Sequence, residues 1–249
     1  MCGRYLIISP PQALKELFGY VQTPNLPARH NIAPTQPVPV VRQWEGRRDY
    51  ALMRWGLIPA WVKDPKGFTL LINARGETAA EKPAFRNALR RRRCLFPADG
   101  FYEWKVEGAR RRPFALLPRA GGPIAFAGLW ETWAGPNGEE VNTAAIVTTQ
   151  ASADIAPIHH RMPVVIQPED FDRWIDCVNV DHRDAMALIA PAREGFFECV
   201  EVSNAVNKVA NDTPDLLTPV TDDQRAAEAA PLPKRAAKPK DDSRQGSLF

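Results

Sequence analysis

The chain has 249 residues, of which 45% are hydrophobic and 24% charged, and a formal net charge of +3. These proportions suit a folded globular protein of one large domain or two small ones, and exclude a chain that is disordered throughout. No apolar stretch is long enough to span a bilayer, and the early run Tyr5–Ile8, followed by Pro10 and Pro11, is too short for a signal segment.

In chain order, Arg4–Ile8 reads as a short strand leading into a helix over Pro11–Gly19. Val38–Gln43 and Asp49–Trp55 read as strands paired across a turn at Glu45–Arg48. Leu70–Ala74 is a further strand, Thr78–Arg92 is helical in composition despite Pro83, and Cys94–Pro97 returns to the sheet. Phe101–Val106 with Arg112–Leu117, and Ile124–Thr132 with Thr143–Thr149, have the form of hairpins around glycine-containing turns. Val164–Ile166 and Glu198–Val202 are strands, and Pro168–Asp176 and Asp181–Ala190 are helices. Hairpins at this frequency predict an α+β fold, a largely antiparallel, barrel-like β-sheet with flanking helices. Residues 1–220 form its single domain. Beyond Val220 large apolar residues almost vanish, which predicts a disordered tail over 221–249.

Charge is unevenly spread. Between Arg86 and Arg112 nine basic residues stand against three acidic ones, Asp99, Glu103 and Glu107. Such a run is either a solvated helix end or a phosphate-binding rim. Four cysteines, Cys2, Cys94, Cys177 and Cys199, lack CxxC pairing and metal-ligand spacing with the four histidines. They read as reduced thiols in a cytoplasmic protein, with no metal or other cofactor expected.

Four stretches set polar groups among apolar ones. Removal of Met1 would leave Cys2 with a free α-amine and a thiol on adjacent carbons, a pair that condenses with an aldehyde to a thiazolidine ring. The amine has a reference pKa of about 7.7–8.0 and the thiol about 8.5, so both supply nucleophile near neutral pH. Leu70–Thr78 delivers Asn73 and Arg75 in alternation, and Ala98–Trp104 places Glu103 among aromatics, where desolvation suits a carboxyl to acid–base work. Ile158–Pro163 holds His159 and His160 beside Arg161. Taken singly, Asn73 is better read as a turn former, Glu103 as a salt-bridge partner and His159 as a structural histidine; it is their joint presence with an N-terminal cysteine that favours chemistry.

Seven motifs then carry a resemblance: MCGR at the start, NIAPT at Asn31–Thr35, MRWGLIPAW at Met53–Trp61, NARGET at Asn73–Thr78, ADGFYEWK at Ala98–Lys105, IVTTQA at Ile146–Ala151 and HHRMPVV at His159–Val165. In this order they resemble the SOS-response-associated peptidase (SRAP) family from Met1 to about Asn207. The resemblance implies an SRAP-type single domain that binds single-stranded DNA and shields abasic sites by a covalent crosslink through the N-terminal cysteine. By motif, Cys2 is the nucleophile, Asn73 positions its amine and the sugar, and Glu103 is the acid–base residue. The family histidine stands four positions before the motif's proline, which selects His159. Its neighbour His160 is often acidic in the family, a small departure. An imine at Cys2 also makes β-elimination, a competing lyase outcome, chemically available, and Met1 leaves either autocatalytically or through an aminopeptidase. Arg4, Arg75 and Arg161 are candidates for phosphate contacts, Asn31 and Thr148 for hydrogen bonds to DNA, and Trp61 for base stacking, with core packing its alternative.

The last residues, Gln245-Gly246-Ser247-Leu248-Phe249, resemble the bacterial sliding-clamp-binding motif, in which Leu248 and Phe249 fill an apolar pocket and Gln245 makes polar contacts. That expectation adds a β sliding clamp to the partners of a monomer associated with the nucleoid. Three rival readings remain: an N-terminal-nucleophile amidohydrolase, a peptidase acting on other proteins, and a non-catalytic DNA-binding adaptor. The first lacks NGEIYN-like and HRGPD-like segments, and the second lacks a Ser/His/Asp or zinc arrangement.

Overall fold

A computed structural model describes residues 2–22 and 24–229. In chain order the elements are β1 (Arg4–Ile7), α1 (Pro11–Phe18), β2 (Arg29–Ile32), β3 (Pro37–Trp44), β4 (Arg47–Trp55), β5 (Asn73–Arg75), α2 (Arg86–Arg91), β6 (Arg93–Ala98), β7 (Gly100–Glu107) and β8 (Arg110–Pro118). They continue with β9 (Ile124–Ala134), β10 (Glu140–Gln150), β11 (Arg161–Pro163), β12 (Val165–Ile166), α3 (Phe171–Ile175), α4 (His182–Met186), β13 (Phe197–Glu201) and α5 (Asp222–Ala229). Five strands close on themselves: β10 pairs with β4, β4 with β3, β3 with β6, β6 with β9, and β9 with β10. All of these pairings are antiparallel except β10 with β4. The α+β fold with a barrel-like, largely antiparallel sheet is the architecture observed.

A second, five-stranded antiparallel sheet runs β13-β8-β7-β1-β2. Only Asp99 separates the barrel strand β6 from β7 of this sheet. Its carboxylate accepts from the backbone N–H groups of Ile8 and Ser9, which ties the exit of β1 to the junction. Gly100 follows at φ +156°, where a Cβ would lie 2.6 Å from the Leu116 carbonyl oxygen, so the sheets meet there only through a glycine. One apolar core runs through both: Tyr5 packs edge-on against Trp55, Phe96 and Phe126, and Phe101 against Phe126 and Phe197.

β10 changes partners along its length, and this positions the site. Its first part pairs with β9 and β4; Ile146 to Thr148 then pair with Asn73 to Arg75 of β5, and Thr148 to Gln150 with β11 on the other edge.

Several elements differ from the sequence expectations. Of the helix expected over 78–92, only Arg86–Arg91 forms; Pro83 has no N–H to give and disfavours helical geometry at Lys82. The strand expected over Leu70–Ala74 narrows to Asn73–Arg75, with Leu71 making an isolated bridge to Leu57. Asp181–Ala190 is helical only over His182–Met186. β2 and β11 were not expected. Both are short, four and three residues, and neither is joined to its partner strand by a tight turn.

Residues up to Pro219 form one compact unit, and the described residues from Val220 belong to a second. In the latter, Asp222–Ala229 is helical where composition predicts disorder. Thr221 and Gln224 cap it reciprocally: the Gln224 N–H donates to Thr221 Oγ1 and the Thr221 N–H to Gln224 Oε1.

Candidate active site

Cys2 precedes β1 and is fully buried, at 0% exposure. Its carbonyl oxygen accepts a 2.8 Å hydrogen bond from Asn73 Nδ2, which joins the chain start to β5. Asn73 Oδ1 is also buried, with no hydrogen-bond partner among the described residues. The Cys2 thiol lies 3.6 Å from the Arg4 carbonyl oxygen. Burial, and next the charge of Glu103, hold that thiol well above the usual cysteine range.

Glu103 comes from β7, the neighbour of β1, with Arg4 opposite Tyr102. It is 3% exposed, and burial pushes its carboxyl above the usual carboxylate range. His159 enters from the segment before β11, with Nδ1 3.8 Å from Glu103 Oε1. Its Nδ1 accepts the Arg161 N–H at 3.0 Å, and the Arg161 carbonyl oxygen, 3.1 Å away, is the acceptor it would use when protonated. Burial moves the imidazole below its ordinary value. Burial thus disfavours the charged form of both groups, the carboxylate of Glu103 and the imidazolium of His159. His160 stacks on His159 with ring centroids 4.4 Å apart.

Arg161 is held on the far edge of β10. Its guanidinium donates to both Glu77 carboxylate oxygens at 2.7 and 2.9 Å and to the Thr148 carbonyl oxygen at 2.7 Å. The hydrogen bonds from Arg161 draw the Glu77 carboxyl below its ordinary range. Glu77 is a site residue that the sequence reading did not single out. Its signal was the alternation Asn73, Arg75, Glu77 along one stretch. Gly76 must stay small there, because a Cβ would meet Ile189 Cγ2 at 2.4 Å.

The structure thus brings Cys2, Asn73, Glu103 and His159 together. Among the expected DNA contacts it separates two kinds. Arg75 is exposed with no ion pair among the described residues, and Trp61 is 59% exposed, edge-on to Phe68 at a 5.7 Å centroid distance. Asn31 and Thr148 are different. Asn31 is 1% exposed, and its amide donates to the carbonyl oxygens of Val206, Lys208 and Asn211 while accepting from Arg4. Thr148 is buried beneath Arg161. Both side chains are buried and hydrogen-bonded within the framework. Arg4 is half-committed: it also donates to Val206 and Asn207 carbonyl oxygens. Gln245, Leu248 and Phe249 lie outside the described residues. No group of three His, Cys, Asp or Glu residues able to hold a metal occurs among the described residues, nor does a helix long and apolar enough to cross a membrane.

Comparison with known proteins places this geometry. Residues 1–209 match the family described as SOS response associated peptidase (SRAP). Abasic site processing protein YoqW of Bacillus subtilis is 35% identical over 221 residues, covering 87% of this chain and 99% of that protein. Abasic site processing protein HMCES of Gallus gallus is 36% identical over 192 residues, which span 68% of this chain and 56% of the longer relative. Among solved structures, a Bacteroides thetaiotaomicron protein superposes with a TM-score of 0.80 over 88% of this chain and 100% of its own, at 23% identity, a likeness of fold. A match over so much of the chain, with relatives above 30% identity along nearly their full length, makes this chain a member of the SOS response associated peptidase family.

Proposed function

We propose that the protein processes abasic sites in single-stranded DNA by trapping the deoxyribose aldehyde on Cys2. The observation that carries this reading is the Glu103–His159 contact beside a cysteine whose carbonyl is held by Asn73. The relatives' description as abasic site processing proteins supports it.

Hydrolysis of the Met1–Cys2 bond frees the α-amine, a step the same site would perform on its own chain. Protonated Glu103 then gives its proton to the ring oxygen of the closed sugar, and the sugar opens to the aldehyde. The amine adds to C1′ and water leaves, giving an imine. The thiol next adds to the same carbon, its proton passing to the imine nitrogen, and closes the thiazolidine. His159 is placed to take and return protons during these transfers. From the imine, abstraction of a C2′ proton expels the 3′ phosphate, which is the competing lyase outcome.

Arg75 is the exposed cation at the strand edge where backbone phosphates would lie, Arg161 is buried and held by Glu77 and Thr148 and so positions that edge, and Trp61 offers an exposed ring for a base. The protein acts as a monomer associated with the nucleoid, and the Gln245–Phe249 peptide tethers it to a sliding clamp.

The test is incubation with single-stranded DNA bearing one abasic site, followed by denaturing electrophoresis. A covalent band that vanishes in Cys2→Ala supports the reading. A band that persists in that variant, or no band with the processed protein, refutes it.

A further inference from the structure

A second feature lies away from the site. Trp44, at the tip of the β3–β4 hairpin, is 46% exposed, although indoles on a folded surface are usually covered. It is propped from beneath. The Arg42 guanidinium sits 4.2 Å from the Trp44 ring centroid and 4.6 Å from that of Trp130, and the Arg92 guanidinium sits 4.7 Å from the Trp130 centroid. Arg42 is itself held by Asp49 at 3.2 Å, and Arg92 by Glu131 at 3.2 Å. Trp44 also meets Trp130 edge-to-face at a 6.2 Å centroid distance, so the indole is held by a ring and a guanidinium together while remaining half exposed.

A groove of about 310 Å³ opens beside this cluster, lined by Trp44, Trp130, Arg91, Val178 and Asn179, with Glu45 at its rim. Arg91 belongs to α2, whose Arg86 and Arg90 stand one turn apart on one face. Arg86, Arg90 and Arg91 are all exposed, and none has an ion pair among the described residues. By contrast Arg93, next in the same basic run, is buried and spends its guanidinium on the carbonyl oxygens of Trp174, Leu89, Asp176 and Val180. The run therefore divides into one structural arginine, one stacked arginine and three uncompensated surface charges. α2 enters β6 at Arg93, whereas the chain leaves β6 for Glu103 at Ala98, roughly 17 Å of strand away.

Uncompensated cations beside a half-exposed ring are what a single-stranded nucleic acid needs: charge for its phosphates and a platform for its bases. We propose that Trp44 and the α2 arginines Arg86, Arg90 and Arg91 form a second contact surface for single-stranded DNA, engaging the strand beyond the nucleotides held at Cys2. The inference rests on the reading that the site itself takes single-stranded DNA. It adds that the strand's path continues across the barrel to the β3–β4 tip.

The experiment uses the full chain and oligo-dT without an abasic site, at roughly 6 and roughly 30 nucleotides, titrated at several salt concentrations. The triple variant R86A/R90A/R91A should bind the long strand about tenfold more weakly, with the slope of log affinity against log salt smaller by about 2. Binding of the short strand, and crosslinking to a short abasic oligonucleotide, should be unchanged. Trp44→Phe should remove part of the tryptophan fluorescence quench that the long strand causes in the unsubstituted protein. An unchanged long-strand affinity and salt slope would overturn the proposal. So would equal losses on both lengths, which place the arginines inside the active-site footprint. Absence of any Cys2-dependent crosslink would instead refute the function of the site and leave the oligo-dT result standing.

Discussion

His159 Nδ1 lies 3.8 Å from Glu103 Oε1, and burial moves the two groups in opposite directions, the carboxyl up and the imidazole down. Burial therefore favours the protonated form of the carboxyl and the neutral form of the imidazole, the forms in which one can donate a proton and the other accept it. Glu103→Gln should therefore slow crosslinking by about 10² or more, the usual worth of a positioned general acid. The pH–rate profile of the variant should also lose the limb on which the unsubstituted protein declines as Glu103 ionises.

The same shift bears on stability. A carboxyl whose folded-state value is raised stabilises the fold below the unfolded value of about 4.3 and loses that contribution as pH rises through the folded value. Glu103→Gln should thus gain thermal stability over the parent as pH rises from about 4, and level off once the parent's carboxylate is fully formed. Melting curves of both proteins across that range check it. A Tm difference that does not vary with pH would contradict it.

Glu77 behaves in the opposite sense. Its carboxyl is held low by Arg161, so its contribution is present above the unfolded value and lost as pH falls through the folded one. Glu77 is part-exposed, so solvent screening limits the direct worth of the pair to about 1 kcal/mol. Glu77→Gln should lower stability by roughly that amount near neutral pH and by nothing at strongly acid pH. Denaturant titrations at both conditions measure the difference.

Asn31 separates framework from function. Its amide donates to three carbonyl oxygens of the segment after β13, and Asp212 of that segment accepts the Asn31 N–H at 2.9 Å. Asn31→Ala should cost about 3 kcal/mol of unfolding free energy through buried acceptors left unpaired. Well below its Tm the variant should bind single-stranded DNA within about twofold of the parent, an energy difference smaller than RT. A larger loss of affinity with unchanged stability would restore the amide to the DNA interface.

Trp61 carries the opposite expectation. Its ring is exposed and meets Phe68 edge-on, so Trp61→Ala should leave the melting temperature nearly unchanged. Loss of one stacked base should weaken single-strand binding by about 1–3 kcal/mol, about fivefold or more. Fluorescence anisotropy with an oligonucleotide lacking an abasic site measures it.

The contrast between Asn31 and Trp61 shows what was legible in the sequence. Cys2, Asn73, Glu103 and His159 each sit in a long motif, and the chemistry of each residue type indicates its part. The hairpins around β7–β8 and β9–β10 were readable because their turn residues and alternation are local. Asn31 and Thr148 are polar residues in the same kind of motif, yet their partners lie on segments far along the chain. No local pattern reveals whether such a side chain faces DNA or a distant carbonyl. The over-long helix at 78–92 has a local cause, the weight given to composition over Pro83. α5 is the reverse case: Thr221 and Gln224 carried a capping signal that polar composition obscured.

The central claim is that the amine and thiol of a processed Cys2 act together on one aldehyde carbon. Intact mass measurement of the adduct with a defined abasic oligonucleotide tests it most directly. The account predicts the mass of the chain without Met1, plus the oligonucleotide, less one water, with the attachment mapping to Cys2 and no borohydride needed for survival. Cys2→Ala should yield only an adduct that borohydride must trap. An adduct of equal yield and lifetime in Cys2→Ala without reductant, or one attached at a lysine, would contradict the account.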